Sequence, residues 1–422
     1  MHLTLLDILR CPFCGTRLTL VENEALVRHG DEIESGVLGC ECCAFPIVAG
    51  IPVMIADDDT RAAMHALEAG RQEEALFALL GLDEERGTAF RALLARGDAL
   101  TYKDAVAVLS PDAEGTYFVY RFSDPTYLMA QTLLEGVGST RATVGGRVID
   151  LCGGSGHLTR VLAGLQPAGG PPVLADVFFW KLWLASRFTS PGCVPVCCDA
   201  NNPLPFDRGT FALVVLSDAF PYIWHKRMLA DEMMRLAGDA GVIVMPHLHS
   251  SLGENFSAGM TLTPASYRDL FAPMQPRLFS DRTLLDDAIE RGAVDLSRDV
   301  TAESLDGEPS LTLVACLEGT RRAAGRGEGW DLFRRYEPAA TDVVSGELIA
   351  NPLYRIDRTA GRSSVLTLAF PTPEYEEEFG ECKRYLAATV TLPGLITRET
   401  LGADYRSLLR RRIVIDAPRR YC

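Results

Sequence analysis

Residues 148–162 read VIDLCGGSGHLTRVL. An apolar run carrying an acid near its end, Asp150, runs into Gly153, Gly154, Ser155 and Gly156, and then into a helical pattern. Side chains this small let the backbone pass close to a ligand and expose amide N–H groups at a helix N-terminus. A strand, a glycine turn and a helix in succession form the opening unit of a parallel α/β sheet with a ligand site at its carboxyl edge.

The surrounding sequence agrees. Residues 113–318 alternate apolar runs with helical stretches, which is the pattern of a parallel α/β sheet. The strands expected are GRVIDL, PPVLADV, CVPVCCD, FALVVLSD, AGVIVMPH and SLTLVACL. At 422 residues the chain exceeds one ordinary core. Three further zones flank this one. Residues 1–57 carry cysteine pairs among short β-like runs. Residues 58–112 have amphipathic helical spacing and read as a helical linker region, one hairpin long. Residues 319–422 open on the Gly/Arg-rich GTRRAAGRGEGW and continue with NPLYRID, SVLTLAFPTP and RRRIVIDAP. They read as an α+β extension without a catalytic motif. No repeat is visible.

The glycine turn is not a dinucleotide fingerprint, because the third glycine of G-x-G-x-x-G is missing after Gly154 and Gly156. Its acid and glycines instead resemble the first motif of the class I S-adenosylmethionine-dependent methyltransferases, type 11-like. The later motifs follow in order. Asp176 ends the second strand in VLADV, Asp199 follows the third in VCCDANNP, and LPFDRGTFALVV and LADEMMRLAGDAGVIVMP are similar to later segments of that family. The resemblance implies a Rossmann-like α/β fold that binds S-adenosylmethionine. It implies that Asp150, Cys152, Gly153, Gly154 and Gly156 surround the amino-acid tail, and that Asp176 and Val177 take the ribose. It further implies that Asp199 and Ala200 contact adenine and that Ser217 follows the fourth strand at the site. Cys152 stands where the family has its first glycine. Taken singly, Asp176 also reads as a helix cap and Asp199 as a turn acid. In GTYFVYRFSDPTY, Tyr117, Tyr120 and Arg121 are candidate cofactor contacts, Arg121 for the methionine carboxylate, or else core aromatics with a neighbouring cation.

Cys11-Pro-Phe-Cys14 and Cys40-Glu-Cys42-Cys43 form two cysteine knuckles a hairpin apart. Four thiolates close a tetrahedral, structural Zn²⁺ site. The fourth ligand after Cys11, Cys14 and Cys40 is Cys43 by the C-x-x-C spacing, with Cys42 as the alternative. The segment resembles the small zinc-ribbon activator subunit of tRNA and release-factor methyltransferases, with the spacer after the second knuckle shortened to Ala44. Cys193, Cys197 and Cys198 lack metal-ligand spacing and read as buried filler.

The acceptor is less visible. The N/D-P-P-Y loop of adenine and glutamine N-methyltransferases is absent after the fourth strand, where Ser217-Asp218-Ala219-Phe220 stands. His247 and His249, after the fifth strand, are candidate bases, as is His225, which also reads as a surface histidine. The expected function is methyl transfer to an O or N nucleophile of a small molecule, in natural-product or glycan tailoring within secondary metabolism. The net charge of −15 weighs against a nucleic-acid partner. An rRNA or tRNA methyltransferase gripping RNA through its ribbon is the alternative, with YRSLLRRRIVIDAPRRY as a candidate basic patch. A non-catalytic S-adenosylmethionine-binding scaffold is the other. No signal peptide or membrane-length apolar run is present, so a cytoplasmic protein is expected, with cysteines reduced or metal-bound.

Overall fold

The computed structural model describes residues 1–140, 145–254, 257, 259–317, 332–337, 346–360 and 362–422. The linker GTRRAAGRGEGW lies outside them. At the centre is a seven-stranded sheet. Its strands are β1 (Arg147–Leu151), β2 (Val173–Asp176), β3 (Val194–Cys197), β4 (Phe211–Leu216), β5 (Val242–His249), β6 (Arg277–Ser280) and β7 (Ser310–Ala315). The spatial order is β3-β2-β1-β4-β5-β7-β6. Strands β3 to β5 pair in parallel, and β7 runs antiparallel to both neighbours. This is the Rossmann-like class I methyltransferase sheet. Six of its strands match those read from the sequence. The seventh, β6, is four residues long and follows a proline, too short for its periodicity to show.

The parallel strands are buried on both faces, which explains their near-continuous Val, Leu and Ile. Strand order reverses between β1 and β4, so a crevice opens at their carboxyl ends. Asp150 pairs with Leu174 on β2 and Val215 on β4, and Asp176 pairs with Cys197. The register therefore carries both acids to the same edge.

The N-terminal strands form a small antiparallel sheet that docks on the central one. Val53 bridges Cys197 in parallel, and the Met54 amide donates to the Cys197 carbonyl at 2.7 Å. The exposed edge of β3 is thereby covered. A second seam joins Leu9 to Phe206, with Arg10 paired to Asp207. Leu5, Leu9, Phe45 and Ile47 share one apolar core with Val173, Val196 and Phe206.

Residues 58–112 are more than one hairpin. Four α-helices, Asp58–Glu68, Gln72–Leu79, Glu84–Leu94 and Tyr102–Leu109, pack on the sheet. Three start where Asp57, Asp83 or Thr101 accepts a backbone N–H. Phe90 meets Trp183 at 5.2 Å, and the Tyr102 hydroxyl reaches Ser155 in the glycine turn at 2.8 Å. The C-terminal region is α+β: a three-stranded antiparallel sheet, a two-stranded one and the helix Pro373–Phe379.

Candidate functional site

The glycine turn holds positive φ at Cys152 (54°), Gly154 (57°) and Gly156 (80°). The Thr159 hydroxyl donates to Asp150 Oδ2 at 2.7 Å, whereas Oδ1 is buried without a hydrogen-bond partner. Burial pushes this carboxyl up to about 7; the Thr159 hydrogen bond opposes the shift and the charge of Asp176 adds to it. A Cβ on Gly153 would stand 2.5 Å from the same carboxylate, so only glycine fits there. The Gly154 amide donates to Asp176 Oδ2 and the Phe178 amide to Oδ1, both at 2.9 Å. Burial raises Asp176 as well, against the charge of Lys181 and these two hydrogen bonds. Each of its oxygens keeps a second lone pair for a ligand hydroxyl.

These groups line a cavity of about 620 Å³ at the carboxyl ends of the strands. Asp150, Cys152, Gly153, Gly154, Asp176 and Val177 line it together with Asp199, Ala200, Ser217 and Arg121. Both Asp199 oxygens also hold the turn through Asn201 and Asn202, so its turn role and its place in the cavity coincide. Val177 and Phe178 are apolar yet 40% and 49% exposed, as a wall for a flat base would be. The volume lies within the range of nucleoside-sized sites. Three buried polar atoms of its lining, Asp150 Oδ1, Ser217 Oγ and His249 Nδ1, have no hydrogen-bond partner among the described residues. The lining therefore fits a nucleoside-sized cofactor such as S-adenosylmethionine.

Three expected residues lie elsewhere. Gly156 caps the helix His157–Gly164, and a Cβ there would meet Ala185 at 2.9 Å. Tyr120 packs against Tyr375 at 5.7 Å, while Tyr117 takes the cavity wall in its place. His225 is exposed, with Nδ1 3.1 Å from the Asn201 carbonyl oxygen, outside both cavities.

A second cavity of about 640 Å³ adjoins the first and shares Asp218, His249 and Glu378 with it. His247 and His249 come together here, their rings 4.7 Å apart. His247 Nδ1 lies 3.0 Å from Asp281 Oδ2, and Asp281 Oδ1 accepts from Thr312 at 2.7 Å. His249 Nε2 lies 3.0 Å from Asp218 Oδ1. Burial would lower the His247 pKa, but the Asp281 hydrogen bond and the Asp218 charge leave it raised. Asp218 is held low despite burial by His249, His247 and Arg121. Asp218 and His247 both adopt left-handed backbone, φ 60° and 58°.

In the N-terminal ribbon, Cys11, Cys14, Cys40 and Cys42 bring four sulfurs within 4.8 Å of one another. Of the two candidates for the fourth ligand, this quartet contains Cys42 and not Cys43. Gly39 pairs with Ala44, so Cys40–Cys43 is a tight turn closed by the Cys40 amide on the Cys43 carbonyl. Cys42 sits at its tip, and the Cys43 amide donates to Cys40 Sγ at 3.2 Å. Four clustered thiols suit tetrahedral Zn²⁺. Among the described residues Cys193, Cys197 and Cys198 form no such group.

Sequence reasoning missed Asp218 and Asp281 as partners of the histidines and Glu378 as a shared wall of the two cavities. It also missed the Lys181–Glu114 ion pair, 2.6 Å, in the cofactor cavity wall. Asp218 stood one residue after a nominated position; Asp281 and Glu378 carried no local signal.

Fold and site together define a class I methyltransferase scaffold with a nucleoside-sized cavity at its switch point. Known proteins give only distant likenesses. A SAM-dependent methyltransferase from Aquifex aeolicus is 13% identical, covering 47% of this chain and 97% of its own, at TM-score 0.33. A complex containing the Haloferax volcanii Trm112 methyltransferase activator is 16% identical, covering 47% and 94%, at 0.34. The geranyl diphosphate C-methyltransferase of Streptomyces coelicolor is 15% identical, covering 44% and 76%, at 0.32. No family model matches the chain, and no curated protein does. The fold assignment rests on the strand order and the glycine turn.

Proposed function

We propose that the protein transfers the methyl group of S-adenosylmethionine to an oxygen or nitrogen of a small molecule, of the kind modified in natural-product or glycan tailoring. The observation that carries this reading is the meeting of two cavities at Asp218, His249 and Glu378. One has the lining of a cofactor site; the other is a chamber for an acceptor. When bound, the cofactor supplies an electrophilic methyl on a sulfonium. The chain's own residues align, shield and deprotonate. Asp176, Arg121 and Asp199 fix the donor, and the shared wall brings an acceptor in line with it. His247 and His249 are placed to take the acceptor's proton. The second cavity is lined by carboxylates such as Glu254, Glu308, Glu377 and Glu381, which would repel a phosphate backbone and so support a small acceptor over RNA. Among the described residues no helix is long and apolar enough to cross a membrane.

Calorimetry with S-adenosylmethionine and S-adenosylhomocysteine tests the reading. Both should bind, and Asp176→Asn should weaken binding by about tenfold or more, the worth of a charge-assisted hydrogen bond. Absence of heat with either ligand, or an indifferent D176N variant, would refute it. Release of S-adenosylhomocysteine across a panel of small phenols, sugars and amines then identifies the acceptor.

A further inference from the structure

We propose that Asp218, His247 and His249 bind a divalent first-row transition-metal ion at the junction of the two cavities. One ligand atom from each lies within 4.8 Å of the others. His249 Nε2 and Asp218 Oδ1 are 3.0 Å apart, which is the edge between two ligands at right angles, each about 2.1 Å from one ion. His247 is already turned for ligation. Asp281 is a carboxylate and accepts from Nδ1, so Nε2 of the neutral ring keeps its lone pair; Thr312 in turn fixes Asp281. An imidazole whose far nitrogen is held by a buried carboxylate is the usual support of a metal-binding histidine.

Two further observations agree. Asp218 and His247 hold left-handed backbone, a conformation unfavourable for a non-glycine residue that gathers at functional sites. The register of β5 against β7 shifts between Met245 and Leu248, and His247 sits in that irregularity. Two strained positions therefore supply two of the three ligands. Three protein ligands leave coordination positions for water or an acceptor oxygen. Glu254 and Glu378 on the cavity walls draw cations in. Two nitrogens and an oxygen without sulfur suit Mn²⁺, Fe²⁺, Co²⁺ or Zn²⁺, and distinguish the site from the thiol quartet of the ribbon. Ion binding stands apart from the methyl-transfer reading. If both hold, the ion lowers the pKa of a bound acceptor hydroxyl in place of a bare histidine base.

The test is titration of Mn²⁺ into the full chain carrying no more than the one zinc ion that the thiol quartet holds, as set by metal analysis, followed by the electron paramagnetic resonance of free Mn²⁺, with no donor or acceptor present. One ion per chain should be retained. His247→Ala and His249→Ala should abolish retention. Asp281→Asn, which keeps all three ligands, should weaken it by about 10- to 100-fold. H247A lies outside the cofactor cavity and should still bind S-adenosylhomocysteine, showing that the fold is intact. If H247A does not fold, D281N decides alone. No retained Mn²⁺ in the unaltered protein, or undiminished retention in the variants, overturns the proposal. Retained Mn²⁺ without S-adenosylhomocysteine binding would instead refute the methyl-transfer reading and leave the ion site standing.

Discussion

Asp150 is a buried carboxyl in the wall of the nucleoside-sized cavity. Its folded carboxyl titrates near 7 against an ordinary value of 3.8. Between those values the folded state holds the extra proton. Stability of the ligand-free protein should therefore be highest near pH 4 as far as this group is concerned, fall as pH rises, and level off above 7. Asp150→Asn should remove that slope and raise the melting temperature at pH 8 by about 2 °C or more. Thermal melts of both proteins from pH 5 to 8 check this, and parallel curves would sink it. Cys152, two residues on, carries φ 54°. Cys152→Gly removes a left-handed penalty of about 1 kcal/mol, offset in part by the freer unfolded chain. Its stability should equal or exceed that of the parent, whereas Cys152→Val, which puts a β-branched side chain at positive φ, should be less stable than the parent in urea unfolding.

Elements distant in sequence brace the glycine turn. Tyr421 stacks on Tyr102 at 4.8 Å, and its hydroxyl lies 3.1 Å from His157 Nε2 and donates to the Phe118 carbonyl. Burial keeps His157 neutral by lowering its pKa. Tyr421→Ala should cost about 3–5 kcal/mol as a large cavity, and Tyr421→Phe about 1 kcal/mol for the hydrogen bonds. Equal losses in chemical denaturation would show that the stack contributes nothing. The helix Pro373–Phe379 gives Glu378 to both cavities, so the C-terminal region builds the site rather than trailing from it. At the second knuckle, Cys42→Ser should lose bound zinc while Cys43→Ser retains it, as read by metal analysis of the purified proteins.

Across the whole molecule the ribbon and the central sheet share one core and one edge. A structural zinc site supplies folding free energy to the segment that holds it. Stripping zinc with a chelator should loosen the ribbon, uncover the edge of β3 and lower the melting temperature of the whole chain, not of the first 57 residues alone. Hydrogen exchange would report this as lost protection at Val194–Cys197. Unchanged protection there would mean that the two parts are energetically separate. The two adjoining cavities likewise depend on the whole chain, since their walls combine residues from before, within and after the central sheet.

The glycine turn, the strand ends at Asp150 and Asp176 and the cysteine knuckles were legible because each is local. A turn needs small residues, a buried parallel strand needs a run of apolar ones, and a knuckle needs its spacing. The short strand Arg277–Ser280 was not, because its pairing partner lies far along the chain, and Cys42 against Cys43 was not, because the closure of their turn and the reach to Cys11 and Cys14 set which sulfur joins the quartet. The same holds for Asp218 and Asp281 beside the histidines. A carboxylate in sequence is only a charge; burial beside an imidazole from another strand makes it a partner, and only the tertiary structure sets that distance.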